Sequence, residues 1–185
     1  MLTKSLSLNL PISLSAIAEV LVFIGLSAVS FAIPFSLGHP QWLVGMAVNV
    51  CLFLAAIFLP KKFILPLVIF PSLGVLSRGL IFGPLTMFLV YFLPFIWLGN
   101  LALILVFKTF FSRANYFFAI AFSAVAKFLL LLAAANIFFA LSVAPKVFTQ
   151  LMGFNQLATA LAGGAVSWLV FNLYAKYKSR NNATA

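Results

Sequence analysis

The chain has 185 residues, of which 65% are hydrophobic and only 6% are charged, and its mean hydropathy is +1.25. A soluble globular domain carries about 25% charged residues and a disordered chain is poor in apolar residues, so this composition excludes both classes. Eleven Lys and Arg stand against one acidic residue, Glu19, which gives a formal net charge of +10. These figures predict a single integral membrane domain over residues 1–185.

Six apolar runs approach the length of about 20 residues that a helix needs to cross the hydrocarbon layer. In chain order, we predict spans at Ile12–Ser36, Gln41–Leu59, Phe63–Phe82, Pro84–Phe110, Asn115–Leu141 and Leu151–Tyr174. Proline and glycine fall in most of the breaks, because proline lacks a backbone donor and glycine loses the most backbone entropy in a helix. The sequence therefore predicts an all-α bundle of six transmembrane helices joined by short loops.

The third span is the least regular of the six. It contains Pro66, Pro71, Gly74 and Gly79, all of which weaken a helix. Two structures are compatible with this pattern: a broken or re-entrant helix facing a cavity, or a continuous span that is only kinked. Irregular backbone at membrane depth is tolerated where protein or a water-filled cavity satisfies it.

The basic residues predict the orientation of the bundle. With the N-terminus inside, the outer ends hold only Arg78 and Lys146, and Lys127 lies within a span. The cytoplasmic ends then hold Lys4, Lys61, Lys62, Lys108, Arg113, Lys176, Lys178 and Arg180. This positive-inside bias indicates that both termini are cytoplasmic, and it explains the basic charge better than binding to nucleic acid does.

Small residues form stripes on the first and sixth spans. Ala28 and Ala32 are one helical turn apart, and Gly163 stands in the same relation to Ser167. Small residues allow close approach of helix backbones in lipid, where hydrophobic burial does not drive pairing. The stripes are compatible with packing inside the bundle or with docking of another membrane subunit at Ala28 and Ala32.

Two charged residues are predicted to lie inside the membrane. Counted at 1.5 Å per residue, Glu19 lies about 12 Å and Lys127 about 18 Å from the cytoplasmic ends of their spans. Because each charge lowers the cost of burying the other, we predict that Glu19 and Lys127 form an ion pair. The pair would either lock the bundle or couple proton movement to transport.

Most other polar residues of the spans fall in the outer half. Together with the aromatic Trp42, these predicted substrate-binding residues are His39, Gln41, Asn49, Arg78, Asn136, Asn155 and Gln156, with Lys146 nearby. A few placed polar groups and aromatic walls are what a small-molecule pocket needs; Tyr91, Phe95 and Trp97 are further candidates for the walls. Asn136 and Lys127 lie on opposite faces of one helix, and we assign Asn136 to the pocket. Asn100 falls in the inner half and is predicted to hydrogen-bond to a neighbouring helix.

The sequence carries no pattern typical of an enzyme or of a metal site. His39 is the single histidine and Cys51 the single cysteine, so neither a metal cluster nor a bis-histidine haem is expected. One carboxylate cannot form an acid–base pair, and no phosphate-binding loop or nucleophile elbow is present. We therefore expect no catalytic residues, no cofactor and no ATPase activity in this chain.

Several stretches, together with the length and the predicted topology, carry a resemblance to a known family. They are Ala28-Val-Ser-Phe-Ala32, His39-Pro-Gln-Trp42, Pro71-Ser-Leu-Gly74, Arg78-Gly79, Phe82-Gly-Pro84 and Gly153-Phe-Asn-Gln156. The chain resembles the substrate-binding membrane subunit, or S component, of energy-coupling-factor transporters, which import vitamins and related micronutrients. In that family an alanine motif on the first span docks the shared scaffold subunit, and Ala28 and Ala32 match it.

The resemblance implies a substrate-capture subunit in the cell membrane with a ligand pocket that opens outward. Its partners would be a transmembrane scaffold and two ATPases, which supply the energy. Two alternatives remain: a structural membrane anchor of a redox complex, and a standalone secondary carrier in which Glu19 and Lys127 are the coupling residues. The sequence leaves the identity of the ligand open.

Overall fold

A computed structural model describes residues 14–37, 39–82 and 86–182, and within these residues it contains helices and no β-strand. The helices are α1 (Ala16–Leu37), α2 (Gln41–Phe58), α3 (Ile64–Phe82), α4 (Thr86–Phe111), α5 (Tyr116–Ala140), α6 (Val147–Leu151) and α7 (Phe154–Asn182). A short 3₁₀ turn at Lys61–Phe63 precedes α3. Six of these helices, all except α6, are long and apolar enough to cross a membrane. The prediction of an all-α membrane protein with six spans is confirmed.

Several helix ends lie at the breaks that the sequence predicted. Asn115, the predicted start of the fifth span, caps α5: its side-chain oxygen accepts a hydrogen bond of 2.8 Å from the Phe118 backbone N–H. Asparagine is among the best capping residues because it satisfies one of the free N–H groups of the first turn. Pro40 directly precedes α2, which ends one residue before Leu59. Lys4 and the predicted start of the first span at Ile12 lie outside the described residues.

The third span is continuous. α3 runs without a break from Ile64 to Phe82 and contains Pro71, so the broken or re-entrant alternative is wrong and the continuous one holds. Pro66 lies in the first turn, where its missing N–H would have had no helical partner anyway. Gly74 packs against the backbone of α1 so closely that a Cβ atom there would collide with the Phe31 carbonyl oxygen.

The sixth span differs most from its predicted bounds. The chain first forms the short helix α6, then turns at Met152 and Gly153, and continues in α7 as far as Asn182. The helix thus extends eight residues beyond the predicted end at Tyr174. The extension is polar and exposed, and its basic side chains suit the negative end of the helix dipole.

The six long helices form a closed ring. In the order α1, α3, α4, α5, α7, α2 each helix packs on the next, and α2 returns to α1. α2 also contacts α3 and α4 across the ring, so it packs on both of its ring neighbours and on two further helices. The largest hydrophobic core lies between α2, α3, α4, α5 and α7, and a second core joins α4 and α5 to α6.

Polar contacts at one end of the bundle agree with helices of alternating direction. At the end rich in basic residues, the Lys108 ammonium donates a hydrogen bond of 2.7 Å to the Leu59 carbonyl oxygen. Glu19, near the start of α1, lies 3.8 Å from Lys62 at the same end. Which membrane face this end occupies remains the prediction of the positive-inside rule.

The small residues of the last span pack inside the bundle. A Cβ atom on Gly163 would lie 2.7 Å from the Asn49 Cβ, and one on Gly164 would lie 2.6 Å from the Ile120 side chain. The close approach of α7 to α2 and α5 therefore depends on these two glycines. On α1 the opposite holds: Ala28 and Ala32 are exposed, so the internal-packing interpretation is wrong for them.

We predict that Gly163→Ala destabilises the bundle by about 1–3 kcal/mol, the usual cost of overpacking a tight site. The new methyl group would meet the backbone of α2, 2.9 Å from the Met46 carbonyl oxygen, and backbone cannot move aside as a flexible side chain can. The measurement is thermal unfolding of the detergent-purified protein.

Gly25→Ala is the matched control, because no atom of another described helix lies within 4 Å of the position of its added Cβ. It should leave the unfolding temperature unchanged or raise it slightly. Equal destabilisation by the two substitutions would contradict the packing account.

Candidate solute-binding site

A cavity of about 150 Å³ lies inside the ring, and all seven helices contribute to its lining. Its polar and charged lining residues are Gln41, Asn49, Ser72, Asn100, Lys127, Asn155, Gln156 and Thr159. Exposed Gln41 and Trp42 lie at one end, where α2 begins. Asn49 is eight residues further along α2, which places it about 12 Å deeper. The cavity therefore reaches from one end of the bundle towards the middle of the membrane.

A hydrogen-bonded chain of three side chains forms the deep part of the cavity. The Lys127 ammonium on α5 donates a hydrogen bond of 2.8 Å to the Asn49 Oδ1 on α2. The Asn49 Nδ2 in turn donates to the Thr159 Oγ1 on α7, at 3.3 Å. The Thr159 hydroxyl donates to the Asn155 carbonyl oxygen at 2.8 Å. The donors and acceptors of this chain fix the orientation of the Asn49 amide, with its oxygen towards the ammonium.

Lys127 is buried, with 3% of its surface exposed, and no carboxylate lies beside it. Glu19 is the single acidic residue of the sequence, and it lies near Lys62 at the basic end of the bundle. The predicted Glu19–Lys127 pair is therefore wrong. The prediction compared depths alone, whereas α1 and α5 are not neighbours in the ring.

The neighbouring helix α4 leaves space for the aliphatic part of the Lys127 side chain. Gly99 on α4 faces it, and a Cβ atom at that position would lie 3.4 Å from the Lys127 Cγ and 3.3 Å from the Leu131 Cγ. Both distances are tight for a Cβ contact, so a larger residue at 99 would press on the stem. The glycine thus leaves room for a long side chain to cross towards α2.

Two further polar residues line the cavity from α3 and α4. The Asn100 Nδ2 donates a hydrogen bond of 3.2 Å to the Val68 carbonyl oxygen, which confirms the predicted interhelical role of Asn100. Ser72 is also buried, and its hydroxyl oxygen has no hydrogen-bond partner in the structure. A buried hydroxyl without a partner costs free energy, and a bound solute or water would satisfy it.

Five of the predicted binding residues lie at the cavity. They are Gln41, Trp42, Asn49, Asn155 and Gln156. Apart from the polar and charged residues named above, the lining is apolar and mostly aliphatic, from residues such as Val44, Leu89 and Met152. Of the four predicted aromatic walls, Trp42 alone lines this cavity.

Arg78 lies away from the cavity. Its guanidinium donates hydrogen bonds to the carbonyl oxygens of Phe35, at 3.1 Å, and Ser36, at 2.8 Å. These carbonyls belong to the last turn of α1, which lacks helical partners and carries the negative end of the dipole. Arg78 thus holds α3 to the end of α1. His39 and Lys146 were also predicted to lie at the pocket. Both are exposed and neither lines the cavity, so this prediction is wrong for them.

The assignment of Asn136 to the pocket in place of Lys127 is wrong. Asn136 is exposed on the surface of the bundle, and its amide donates to the Leu132 carbonyl oxygen of its own helix, at 2.8 Å. An asparagine that satisfies itself in this way can face lipid. An ammonium facing lipid at the same depth costs far more, so the lysine takes the interior face of α5. That cost is the signal in the sequence that would have identified Lys127.

The donor set of the cavity suits an electron-rich solute. An ammonium, a hydroxyl and several amides converge there, and the described residues contain no group of three or more His, Cys, Asp or Glu that could hold a metal ion. Comparisons with protein-family models, with curated proteins and with solved structures find no match to this chain.

We predict that Thr159→Val lowers the free energy of unfolding by about 1–3 kcal/mol, because the buried Asn49 amide then loses its acceptor. The two side chains have nearly the same shape, so the loss reports the hydroxyl and not the packing. Thermal or denaturant unfolding in detergent measures it.

Thr109→Val is the control, since the Thr109 hydroxyl is exposed and bonds to its own helix, at the Leu105 carbonyl oxygen. We expect it to change stability by no more than about 0.5 kcal/mol. If both threonines proved equally dispensable, the polar chain would not contribute to the fold.

Proposed function

We propose that this protein is the substrate-capture subunit of a small-molecule uptake transporter, of the energy-coupling-factor type. It binds its ligand in an outward-facing pocket and relies on partner ATPases for energy. The observation that carries the proposal is the cavity between the helices, with Lys127, Asn49 and Thr159 at its deep end.

A structural anchor does not account for this cavity. A bundle that serves only to hold helices together is most stable when apolar side chains fill its centre. Here a buried lysine and the unpartnered Ser72 hydroxyl stand at the centre instead, and both reduce stability. Intramembrane ionisable residues of this kind are expected where a solute or ion is handled.

A standalone secondary carrier is also less well supported. That alternative depended on Glu19 and Lys127 acting together as the coupling pair. The two residues have different partners, Lys62 and Asn49 respectively, and lie in helices that are not neighbours in the ring. Energy from partner subunits is the simpler arrangement.

The outer surface of α1 is the proposed docking face for the scaffold subunit. Gly25, Ala28 and Ala32 are all exposed, and no other described helix comes within 4 Å of the position where Gly25 would carry a Cβ. α1 is also the most peripheral span: 6% of its most apolar segment is buried, against 28–39% for the others. A smooth helix face of this kind allows close approach of a partner helix in lipid.

We predict that the protein, purified under mild conditions from its native membrane, co-elutes with a small molecule, a scaffold subunit and two ATPases. Mass spectrometry of the eluate identifies each of them. Ala28→Trp should reduce the recovered ATPases by about tenfold or more, because overpacking a helix interface costs about 1–3 kcal/mol. It should leave the bound small molecule in place.

Val29→Trp is the matched control, since Val29 is an exposed neighbour that points about 100° around the helix from Ala28. It should leave the recovered ATPases unchanged. Co-elution with redox enzymes, and with neither a solute nor an ATPase, would support the anchor instead.

A further inference from the structure

We propose that the ligand of this cavity is a small organic monoanion, with one carboxylate or a similar group held by Lys127 and an apolar body about the size of one ring. The inference rests on the proposed function, because it takes the cavity to be the ligand site. It assigns to that site a substrate class and a residue that recognises it.

The charge of the cavity favours an anionic ligand. Lys127 is buried in a chain whose single carboxylate side chain, Glu19, lies elsewhere. An isolated charge inside a membrane bundle is costly unless an opposite charge accompanies it. The protein supplies a hydrogen-bond acceptor, the Asn49 oxygen, but no counter-charge. A bound anion supplies what the protein lacks.

The hydrogen-bond donors of the cavity favour the same class of ligand. An ammonium has three N–H donors, and within the described residues Lys127 uses one of them, on Asn49. The Ser72 hydroxyl is buried without a partner and lines the same cavity from α3. The site therefore holds unused donors on two of its sides. A carboxylate accepts several hydrogen bonds at once and matches such a set.

The volume of the cavity limits the size of the ligand. The cavity measures about 150 Å³, and an apolar protein cavity of about that volume accommodates benzene. Apart from its polar groups, the lining is apolar, with Val48, Ile96 and Met152 among its residues. One lysine balances one negative charge, so the site disfavours large or multiply charged solutes such as nucleoside phosphates. A single ring or a short branched chain with one acid group fits both limits.

The position of the charged group also predicts how the ligand lies. Lys127 is at the deep end, whereas Gln41 and Trp42 are at the exposed end. The acid group therefore enters first and the apolar body lies behind it. Amide side chains of Asn155 and Gln156 remain near the body for further selection.

The test uses three single-ring probes of similar size that differ in charge: benzoate, benzamide and benzylamine. The full-length protein is placed in lipid nanodiscs after removal of co-purified solute, and binding is measured by calorimetry. We expect benzoate to bind at least about tenfold more tightly than benzamide, the scale of effect of a charge-assisted hydrogen bond. Benzylamine should bind most weakly of the three.

The variant Lys127→Gln should reduce the preference for benzoate over benzamide to about threefold or less, since it removes the charge. Lys127→Arg keeps the charge and should retain most of the preference. Lys108→Gln is the matched control. This lysine is partly buried, and its ammonium donates a hydrogen bond to the Leu59 carbonyl oxygen at the other end of the bundle. It should retain the full preference. The wild-type comparison stands by itself if Lys127→Gln fails to fold.

Equal binding of benzoate and benzamide by the wild type overturns the inference, and so does a preference that survives Lys127→Gln. A co-eluting native ligand that is neutral or cationic overturns it as well, yet leaves the proposed function standing. Absence of any bound solute in both experiments overturns the inference and the proposed function together.

Discussion

The structure depends on one constraint: a lysine ammonium lies deep within a membrane bundle that has no carboxylate to pair with it. Lys127 reaches across to α2, where the Asn49 Oδ1 accepts a hydrogen bond of 2.8 Å from the ammonium. α7 lies close behind Asn49, which Gly163 permits, and the Thr159 hydroxyl accepts a hydrogen bond from the nitrogen of the same amide. Packing alone does not explain this arrangement, because a buried charge without a counter-charge lowers the stability of a membrane bundle.

Much of the fold could be predicted from the sequence, because the bilayer fixes the length of a span and the backbone fixes its ends. Apolar runs of about 20 residues predicted the six helices. The fifth span was predicted to start at Asn115, and the side chain of this residue caps α5 in the structure. The last helix was the exception. Beyond Tyr174 the residues are polar, so hydropathy ended the predicted span although the helix continues to Asn182.

The site was predictable only in part, because depth in the membrane can be counted along a sequence and rotation around the ring cannot. Asn49 and Gln156 were correctly expected at one cavity, since both lie on spans near the same end. Glu19 and Lys127 match in depth but not in direction, so their predicted pairing failed. Arg78 donates two hydrogen bonds to the end of α1, a contact that depends on which helices are neighbours. These failures share one cause: hydropathy does not encode the order of helices in the ring.

The most direct test of the central claim is the thiol reactivity of Ser72→Cys towards an anionic, membrane-impermeant reagent added outside intact cells, with Cys51 replaced by Ala. Ser27→Cys is the comparison, because the Ser27 and Ser72 hydroxyls are both buried without a partner and only Ser72 lines the cavity. The account predicts that the cysteine at 72 reacts from outside, is protected by the bound solute, and reacts far faster than the cysteine at 27. Equal and slow reaction at both positions, or reaction at 72 only from the cytoplasmic side, would contradict it.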